Sequence, residues 1–356
     1  MAVNQGLSHL SDHFLMITLV LYFLAVLAFA ADFAFGKRSS AEPAEAAVPE
    51  LVTTGAAGAG AAGATAGPAA TPAQASAADL GGAKASGGTG RPAAASRPSL
   101  RDASFWVQAG LGLTVLGVIA HIAGVVIRGL AVHRVPWGDM YEFVIAVTCV
   151  AMLFFLGLMF RYRPYRLGLF FLAPIVINIG LAQTVIYTPA GPLVPALNSY
   201  WLAIHVTAIT LATGTYVVAA VLAVVYLFAD RHTRRVAASL PVRNGEVFRL
   251  LPSPERLDQF AYRTVVFAFP LWTFGIMAGA IWADEAWGRY WGWDPTETWA
   301  FITWVVYACF LHARVTAGWR GRRAAYIQLV GFGCLLFNLL GVSLFITGLH
   351  SYAGLS

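Results

Sequence analysis

The residues best suited to bind a metal are histidines that lie within or next to long apolar segments. His205 lies one helical turn after Trp201, where the fifth apolar segment begins, and His350 follows the eighth segment. An ionisable side chain at membrane depth is costly, so it is a functional candidate. One such histidine is more often an interfacial hydrogen-bonding residue. Two at the same level instead favour a pair of ligands to one metal.

A loop dense in tryptophan lies between the sixth and seventh apolar segments, at the level that these two histidines are expected to reach. It runs from Trp287 to Trp299 as Trp-Gly-Arg-Tyr-Trp-Gly-Trp-Asp-Pro-Thr-Glu-Thr-Trp, and it includes Trp291 and Trp293. Tryptophan favours membrane–water interfaces, so an interfacial aromatic belt is one interpretation. The other is a flat aromatic platform for a planar ligand. Two imidazoles beside four indoles favour haem, with the histidines at both axial positions of the iron.

A third histidine, His312, is expected at a different depth. It lies thirteen positions beyond Trp299, which is about 20 Å along an α-helix. No other histidine of the chain matches this depth, since His121 falls in the outer half of the membrane. As a haem ligand, His312 therefore needs water, an unlike residue or a histidine of another protein on the opposite side. A helix-end histidine beside Arg314 that hydrogen-bonds a last-turn carbonyl is an equally good interpretation.

The acids of the tryptophan loop have a structural explanation. Asp294-Pro295-Thr296-Glu297 combines an N-cap residue, a proline at the first helical position and an acid at the third, which is typical of a capping box. Capping is therefore favoured over catalysis for Asp294 and Glu297, although Asp294 stays a candidate ligand-binding residue. Arg289 is suited to a haem propionate or a lipid phosphate. Gly288 and Gly292 are expected to permit a turn or a close approach of the backbone.

The composition places these residues in a membrane protein. Hydrophobic residues make up 58% of the chain and charged residues 11%, and a span needs about 20 apolar residues. The predicted fold is all-α, a polytopic membrane protein with about eight transmembrane helices and an outward-facing tryptophan-rich loop. The eight candidate spans lie near 13–35, 105–130, 140–160, 167–187, 201–228, 263–283, 299–317 and 324–348.

Three regions are predicted along the chain: an N-terminal transmembrane helix at 1–36, a linker at 37–104 and a membrane domain at 105–356 with the tryptophan loop at 284–299. The linker consists largely of Ala, Gly, Pro, Ser and Thr, so it cannot bury a core and is expected to be disordered. The first apolar run lacks a basic n-region and a small-residue cleavage site, which favours a retained helix over a signal peptide.

Arginines predict the orientation. The first, third, fifth and seventh connections are basic, and basic loops are cytoplasmic by the positive-inside rule. The linker is then cytoplasmic, and the tryptophan loop and both termini face outward. Because the basic residues lie mostly in short loops between spans, they do not indicate binding to nucleic acid.

The cysteines exclude several classes of protein. Cys149, Cys309 and Cys334 are isolated within apolar segments, and the sequence contains no Cys-x-x-Cys, Cys-x-x-Cys-His or zinc spacing. A c-type cytochrome, a zinc protein and a thiol–disulfide relay are therefore disfavoured.

Five segments of the chain resemble one family. Trp-Gly-x-x-Trp-x-Trp-Asp-x-x-Glu-Thr is similar to the WWD signature of the haem-handling membrane proteins of cytochrome c maturation. Within that family, the segments around the three histidines resemble the CcsA/ResC branch, also called CcsB, as does the loop from Pro136 to Glu142. Those histidine segments are Trp201-Leu202-Ala203-Ile204-His205, Leu311-His312-Ala313-Arg314 and Gly348-Leu349-His350-Ser351-Tyr352. The resemblance covers roughly 105–356, and the Ala/Gly/Pro-rich linker is not part of it.

The resemblance implies a membrane subunit of the system II cytochrome c synthase, in the cytoplasmic membrane of a bacterium. His205 and His350 would ligate external haem b over the tryptophan loop, and His312 would ligate a haem within the membrane together with a histidine of a ResB-type partner. Haem would be presented to the Cys-x-x-Cys-His motif of apocytochrome c, with thiol-reducing proteins as further partners. The synthase, or haem lyase, is expected to be active only as the complex, so an enzyme activity of this chain alone stays open.

Other classes of function are less well supported. A haem transporter without attachment activity is the main alternative, but transporters tend to contain inverted repeats and broken helices around a midplane site. A membrane-embedded b-type electron carrier would usually pair histidines at two depths within its own helices. A structural membrane scaffold would leave the placement of the histidines as coincidence.

Overall fold

The computed structural model describes residues 3–35, 103–192, 197, 199–242, 247–248, 251–316, 318–346 and 348–350. These residues form helices and connecting loops, and eight of the helical segments are long and apolar enough to cross a membrane. The predicted all-α, polytopic membrane fold is therefore confirmed. The predicted linker at 37–104 lies outside the described residues, except for its last two positions, 103 and 104. Ser351 and Tyr352 of the third histidine segment also lie outside the described residues.

The spans agree with the predicted segments and differ mainly in length. In chain order the helices are α1 (Gln5–Phe35), α2 (Phe105–Val132), α3 (Met140–Tyr162), α4 (Gly168–Thr184), α5 (Tyr200–Ala237), α6 (Pro254–Trp287), α7 (Pro295–Val315) and α8 (Arg322–Leu336). A 3₁₀ turn precedes α4, and a π-helical turn at Phe337–Gly341 connects α8 to a short helix, Val342–Phe345. α5 and α6 extend past the predicted spans because their polar ends continue the helix beyond the apolar part that hydropathy detects.

Helices α1 and α2 pack closely because three glycines of α2 leave space for large side chains of α1. Three side chains of α1 at seven-residue spacing are almost fully buried, and each faces a glycine of α2 at the same spacing. The pairs are Leu15 with Gly124, Tyr22 with Gly117 and Phe29 with Gly110. A Cβ at Gly117 would lie 2.5 Å from the Tyr22 ring. The glycines of α2 therefore allow α1 to pack closely on α2.

We expect Gly117→Leu to destabilise the protein, because its side chain would occupy the space of the Tyr22 ring. Overpacking of this kind costs about 1–3 kcal/mol. Thermal unfolding of the purified protein in detergent would report the loss as a lower midpoint. Gly112→Leu is the matched control in the same helix, since a Cβ there meets no atom within 4 Å. Equal effects of the two changes would contradict this packing.

Two ion pairs attach α1 to the other helices, one towards each of its ends. Asp32 accepts from Arg166 at 2.9 Å, just before α4. Asp12 pairs at 3.2 Å with Arg128, whose side chain is fully buried. A buried charge needs partners to offset its desolvation, and Arg128 also reaches Glu142 at 3.3 Å. Both contacts hold α1 against the helices of the described bundle.

The same buried cluster organises the loop before α3. Glu142 accepts from Arg134 at 2.7 Å and from the backbone N–H of Gly138 at 2.8 Å, in addition to Arg128. Asp139 caps α3 by accepting from the backbone N–H of Glu142 at 2.8 Å. The acids of the loop from Pro136 to Glu142 are thus engaged in holding helix ends together.

Candidate functional site

His205 and His350 both pack against one buried tryptophan, Trp282. The imidazole of His205, on α5, lies 6.1 Å from the Trp282 ring of α6 between centroids, with the two planes only 10° apart. The imidazole of His350, after the last helix, lies 5.9 Å from the same indole. Trp282 is 2% exposed. The structure therefore brings together the two histidines that the sequence placed at one level.

Trp282 is a site residue that the sequence reasoning missed. It lies inside an apolar segment, five positions before Trp287, where a buried tryptophan is not distinguishable from an ordinary core residue. Its ring also contacts Trp287 at 4.8 Å between centroids. Only the folded structure reveals that this indole contacts both imidazoles.

Each imidazole is oriented through Nδ1. Nδ1 of His205 lies 2.7 Å from the carbonyl oxygen of Gly275, and Nδ1 of His350 lies 2.7 Å from Oδ2 of Asp294. Carbonyl and carboxylate oxygens only accept, so Nδ1 carries the proton in both rings. In the neutral form of each ring the lone pair is then on Nε2, and this is the tautomer that binds a metal through Nε2.

The helix packing leaves room for the His205 ring at one position of α6. A Cβ at Gly279 would lie 2.6 Å from both Cε1 and Nδ1 of His205. Any larger residue would therefore displace the imidazole. Gly275, one turn earlier, supplies the accepting carbonyl, so this turn of α6 both positions and orients His205.

Asp294 links the tryptophan loop to the segment that carries His350. It caps α7, with its side chain accepting from Thr296 at 3.2 Å, and the predicted capping box with Glu297 is present. The same carboxylate also accepts from the backbone N–H of Leu349 at 2.7 Å. Burial acts to raise the pKa of Asp294, but the hydrogen bonds from His350 and Leu349 outweigh it and hold the pKa below its usual value. The carboxylate is therefore ionised at neutral pH.

The four tryptophans of the loop do not form the single flat platform that was one of the two interpretations. Trp287 packs edge-on against His350 at 5.0 Å between centroids. Trp291 and Trp293 contact each other with perpendicular planes, and Trp299 packs on Phe337 of the π-helical turn. The chain reverses twice in the left-handed region, at Gly288 with φ 68° and at Trp293 with φ 57°. These reversals turn the indoles in different directions.

Arg289 is held by the loop and remains partly accessible. Its Nη1 lies 3.5 Å from Oε1 of Glu297, with 32% of the side chain exposed, and its guanidinium lies over the Trp287 ring at 5.9 Å. A Cβ at Gly292 would lie 1.5 Å from the same Nη1. Gly292 therefore makes room for the arginine, whereas Gly288 supplies the turn that ends α6. The exposed part of Arg289 is available to an anionic group.

His312 is far from this pair, near the other end of α7. The stretch from Trp299 to His312 is continuous helix, so the two residues lie about 20 Å apart along the helix axis, as predicted from the sequence. The His312 side chain is exposed, and its imidazole makes no hydrogen bond to a residue that the structure describes. Arg314 instead pairs with Asp258 of α6 at 2.8 Å. His312 thus lies on the outside of the helical bundle.

The two imidazoles suit an iron that is already coordinated by a macrocycle. Among the described residues, no three His, Cys, Asp or Glu side chains converge as they do at a metal ion bound by protein ligands alone. Two imidazoles with Nδ1 engaged, beside two indoles and an arginine, are instead the types of residue that can serve as axial ligands, ring contacts and propionate partner of a haem.

Known proteins resemble this chain in sequence. The model of the cytochrome C assembly protein family matches residues 118–350. The cytochrome c biogenesis protein CcsA of Guillardia theta is 38% identical over 269 residues, which cover 69% of this chain and 86% of the relative. CcsA of Gloeobacter violaceus is 31% identical over 296 residues, or 70% of this chain and 87% of the relative.

The fold also has a counterpart among solved structures. A structure of the cytochrome c haem lyase CcmF aligns with a TM-score of 0.57 at 14% identity, covering 95% of this chain and 47% of that chain. At this identity the likeness concerns the fold alone. The resemblance drawn from the histidine and tryptophan motifs is confirmed by the family match and the CcsA relatives. The chain belongs to the cytochrome c assembly protein family and is a CcsA-type membrane protein of cytochrome c biogenesis.

Proposed function

We propose that this chain is the membrane subunit of a system II cytochrome c synthase that binds haem b between His205 and His350. The observation that carries the proposal is the contact of both imidazoles with Trp282, each with Nδ1 engaged so that Nε2 is left as the potential ligand atom. Two imidazoles on one iron hold the haem in a defined orientation. Trp287 contacts the porphyrin, and Arg289 binds a propionate through charge-assisted hydrogen bonds.

The chemical role of the chain is to position its substrates. In the attachment reaction each thiol of Cys-x-x-Cys-His adds across a haem vinyl group. The S–H bond breaks, a C–S bond forms and the hydrogen moves to the neighbouring vinyl carbon, so the addition is redox-neutral. Holding haem and apocytochrome c together makes the step effectively intramolecular. The three cysteines of the chain are isolated along the sequence, so reduced thiols on apocytochrome c depend on separate reducing proteins.

His312 supplies half of a second haem site, and a ResB-type subunit supplies the other half. Only 17% of the apolar window of α7 is buried, the smallest fraction among the eight spans. His312 is exposed on a face of α7 that also carries three further exposed residues: Phe301, Val305 and Cys309. An imidazole on such a face, surrounded by apolar side chains, suits a transmembrane partner that contributes the opposite axial ligand. The other exposed helix faces contact membrane lipid.

The membrane orientation follows from the basic loops. The proposal places the chain in the cytoplasmic membrane of a bacterium, with the tryptophan loop and both termini on the outer face. Haem then binds first at the His312 level and moves outward to His205 and His350, where apocytochrome c is presented. The direction of haem movement is thus from the arginine-rich end of the bundle to the tryptophan-loop end.

The proposed function is tested in a bacterial host from which its own cytochrome c assembly genes are deleted. We expect this chain and its ResB-type partner together to give a reporter cytochrome with haem that survives denaturing electrophoresis. A reporter with Ala-x-x-Ala-His in place of Cys-x-x-Cys-His must give none. Haem that accumulates outside the cell without thioether attachment would instead indicate a transporter. No covalent haem and no haem in the purified complex would reject the proposal.

A further inference from the structure

One carboxylate connects two separate parts of the site. Oδ1 of Asp294 accepts from the backbone N–H of Leu349 at 2.7 Å, while Oδ2 accepts from Nδ1 of His350 at 2.7 Å and from the backbone N–H of Thr296 at 3.2 Å. The side chain is only 4% exposed. Asp294 therefore ends the tryptophan loop, begins α7 and holds both the backbone and the ring of the segment that follows α8.

The neighbouring backbone is shaped to allow this contact. A Cβ at Gly348 would lie 2.7 Å from Oδ1 of Asp294, so a side chain there would push the carboxylate away from Leu349. The carboxylate is also shielded from water, which strengthens its hydrogen bond to the imidazole. A capping residue alone requires neither the contact to Leu349 nor the contact to His350.

The two proposed axial ligands have unlike partners. Nδ1 of His205 donates to a neutral backbone carbonyl, that of Gly275, whereas Nδ1 of His350 donates to an ionised carboxylate. A charged acceptor withdraws the Nδ1 proton more strongly and makes Nε2 a better electron donor to a metal. Stronger donation from an axial ligand stabilises the ferric over the ferrous state.

We infer that Asp294 is a positioning residue that sets the electron donation of His350, and thereby lowers the reduction potential of the haem held between His205 and His350. The inference rests on the proposed function, because it concerns that same haem. It assigns to the tryptophan loop an electronic role besides its contact with the porphyrin. It also makes His350 the stronger of the two ligands, with His205 the weaker.

The test is the haem midpoint potential of the complex purified with its ResB-type partner, compared with that of the Asp294→Asn complex. Asparagine keeps one oxygen, which caps α7 and accepts from His350, but it removes the charge, and its amide nitrogen cannot accept from the backbone N–H of Leu349. Changes behind a metal ligand typically alter metal affinity or activity 10–100-fold. We expect about tenfold more ferrous relative to ferric haem at a fixed ambient potential, which corresponds to about 59 mV for one electron.

Asp139→Asn is the matched control. Asp139 also caps a transmembrane helix, α3, by accepting from the backbone N–H of Glu142, and no contact joins it to His350 among the described residues. We expect its potential to equal that of the parent. Asp294→Glu, which keeps the charge, should retain both the haem and the parental potential.

Three outcomes would overturn the inference about Asp294. The first is an unchanged potential in Asp294→Asn with haem still bound through His350. The second is an equal shift in Asp139→Asn. The third is a loss of haem from both Asp294→Asn and Asp294→Glu, because geometry rather than charge would then decide. Loss in the asparagine variant alone supports the role of the charge. A parental complex whose haem spectrum does not depend on His350 would reject the proposed function itself, so the two failures are distinguishable.

Discussion

The His205→Ala/His350→Ala variant is expected to lose the haem at the tryptophan-loop end and to stop cytochrome c synthesis. The two rings converge on Trp282, so the double change removes both axial ligands from one position. Even changes behind a ligand cost 10–100-fold, and we expect synthesis to fall by more than about 100-fold. The readouts are the reduced absorption spectrum of the complex with its ResB-type partner and the covalent haem in a reporter cytochrome.

The chain offers a matched control for this change. His9 and His13 are both exposed on α1, in its first turns, and Nδ1 of His13 bonds to the backbone oxygen of His9 rather than to the site. Their double alanine variant should retain the parental spectrum and yield. An unchanged spectrum with normal synthesis in His205→Ala/His350→Ala would assign the tryptophans to an interfacial belt and leave the two imidazoles without a role in haem binding.

His312→Ala is expected to abolish synthesis for a different reason. His312 lies thirteen residues of helix away from Trp299, about 20 Å, so its loss leaves the geometry of His205 and His350 intact. We expect little haem to reach the tryptophan-loop end in cells. Haem added to the purified variant complex in detergent should still give the spectrum of the His205–His350 pair.

His232→Ala is the control for His312. His232 also lies towards the arginine-rich end of the bundle, on α5, but its ring stacks on Phe248 at 4.9 Å between centroids. That variant should make cytochrome c at the parental level. Normal synthesis in His312→Ala would show that haem reaches the outer pair without this histidine. Failure of added haem to bind would show that the two levels are structurally coupled.

Most of the fold could be predicted from short-range patterns in the sequence. Each span of a membrane protein needs a long apolar run that satisfies its own backbone hydrogen bonds, so all eight helices were readable from hydropathy. The capping box at Asp294 was equally readable, since it depends on four consecutive residues. The ends of α5 and α6 could not be predicted in this way, because a helix can continue into polar residues that hydropathy does not detect.

The candidate site could be predicted only in part from the sequence. The depth of a residue along its helix follows from counting residues, and this count predicted that His205 and His350 lie at the same depth. It could not identify Trp282 as an indole that contacts both of them, because that depends on how the helices pack. Nor could it show that the planes of Trp291 and Trp293 are perpendicular, since this depends on the backbone angles of the loop, which are left-handed at Gly288 and Trp293.

The sequence by itself therefore determined the class of protein, the number of spans, the family and the candidate histidines, because these depend on composition, periodicity and local motifs. The tertiary structure decided how the side chains of His205 and His350 are oriented. Nδ1 of His205 is satisfied by a carbonyl of a different helix and Nδ1 of His350 by a carboxylate 56 positions earlier in the chain. Contacts between residues so distant in the chain exist only after the helices have packed, and they orient the imidazoles.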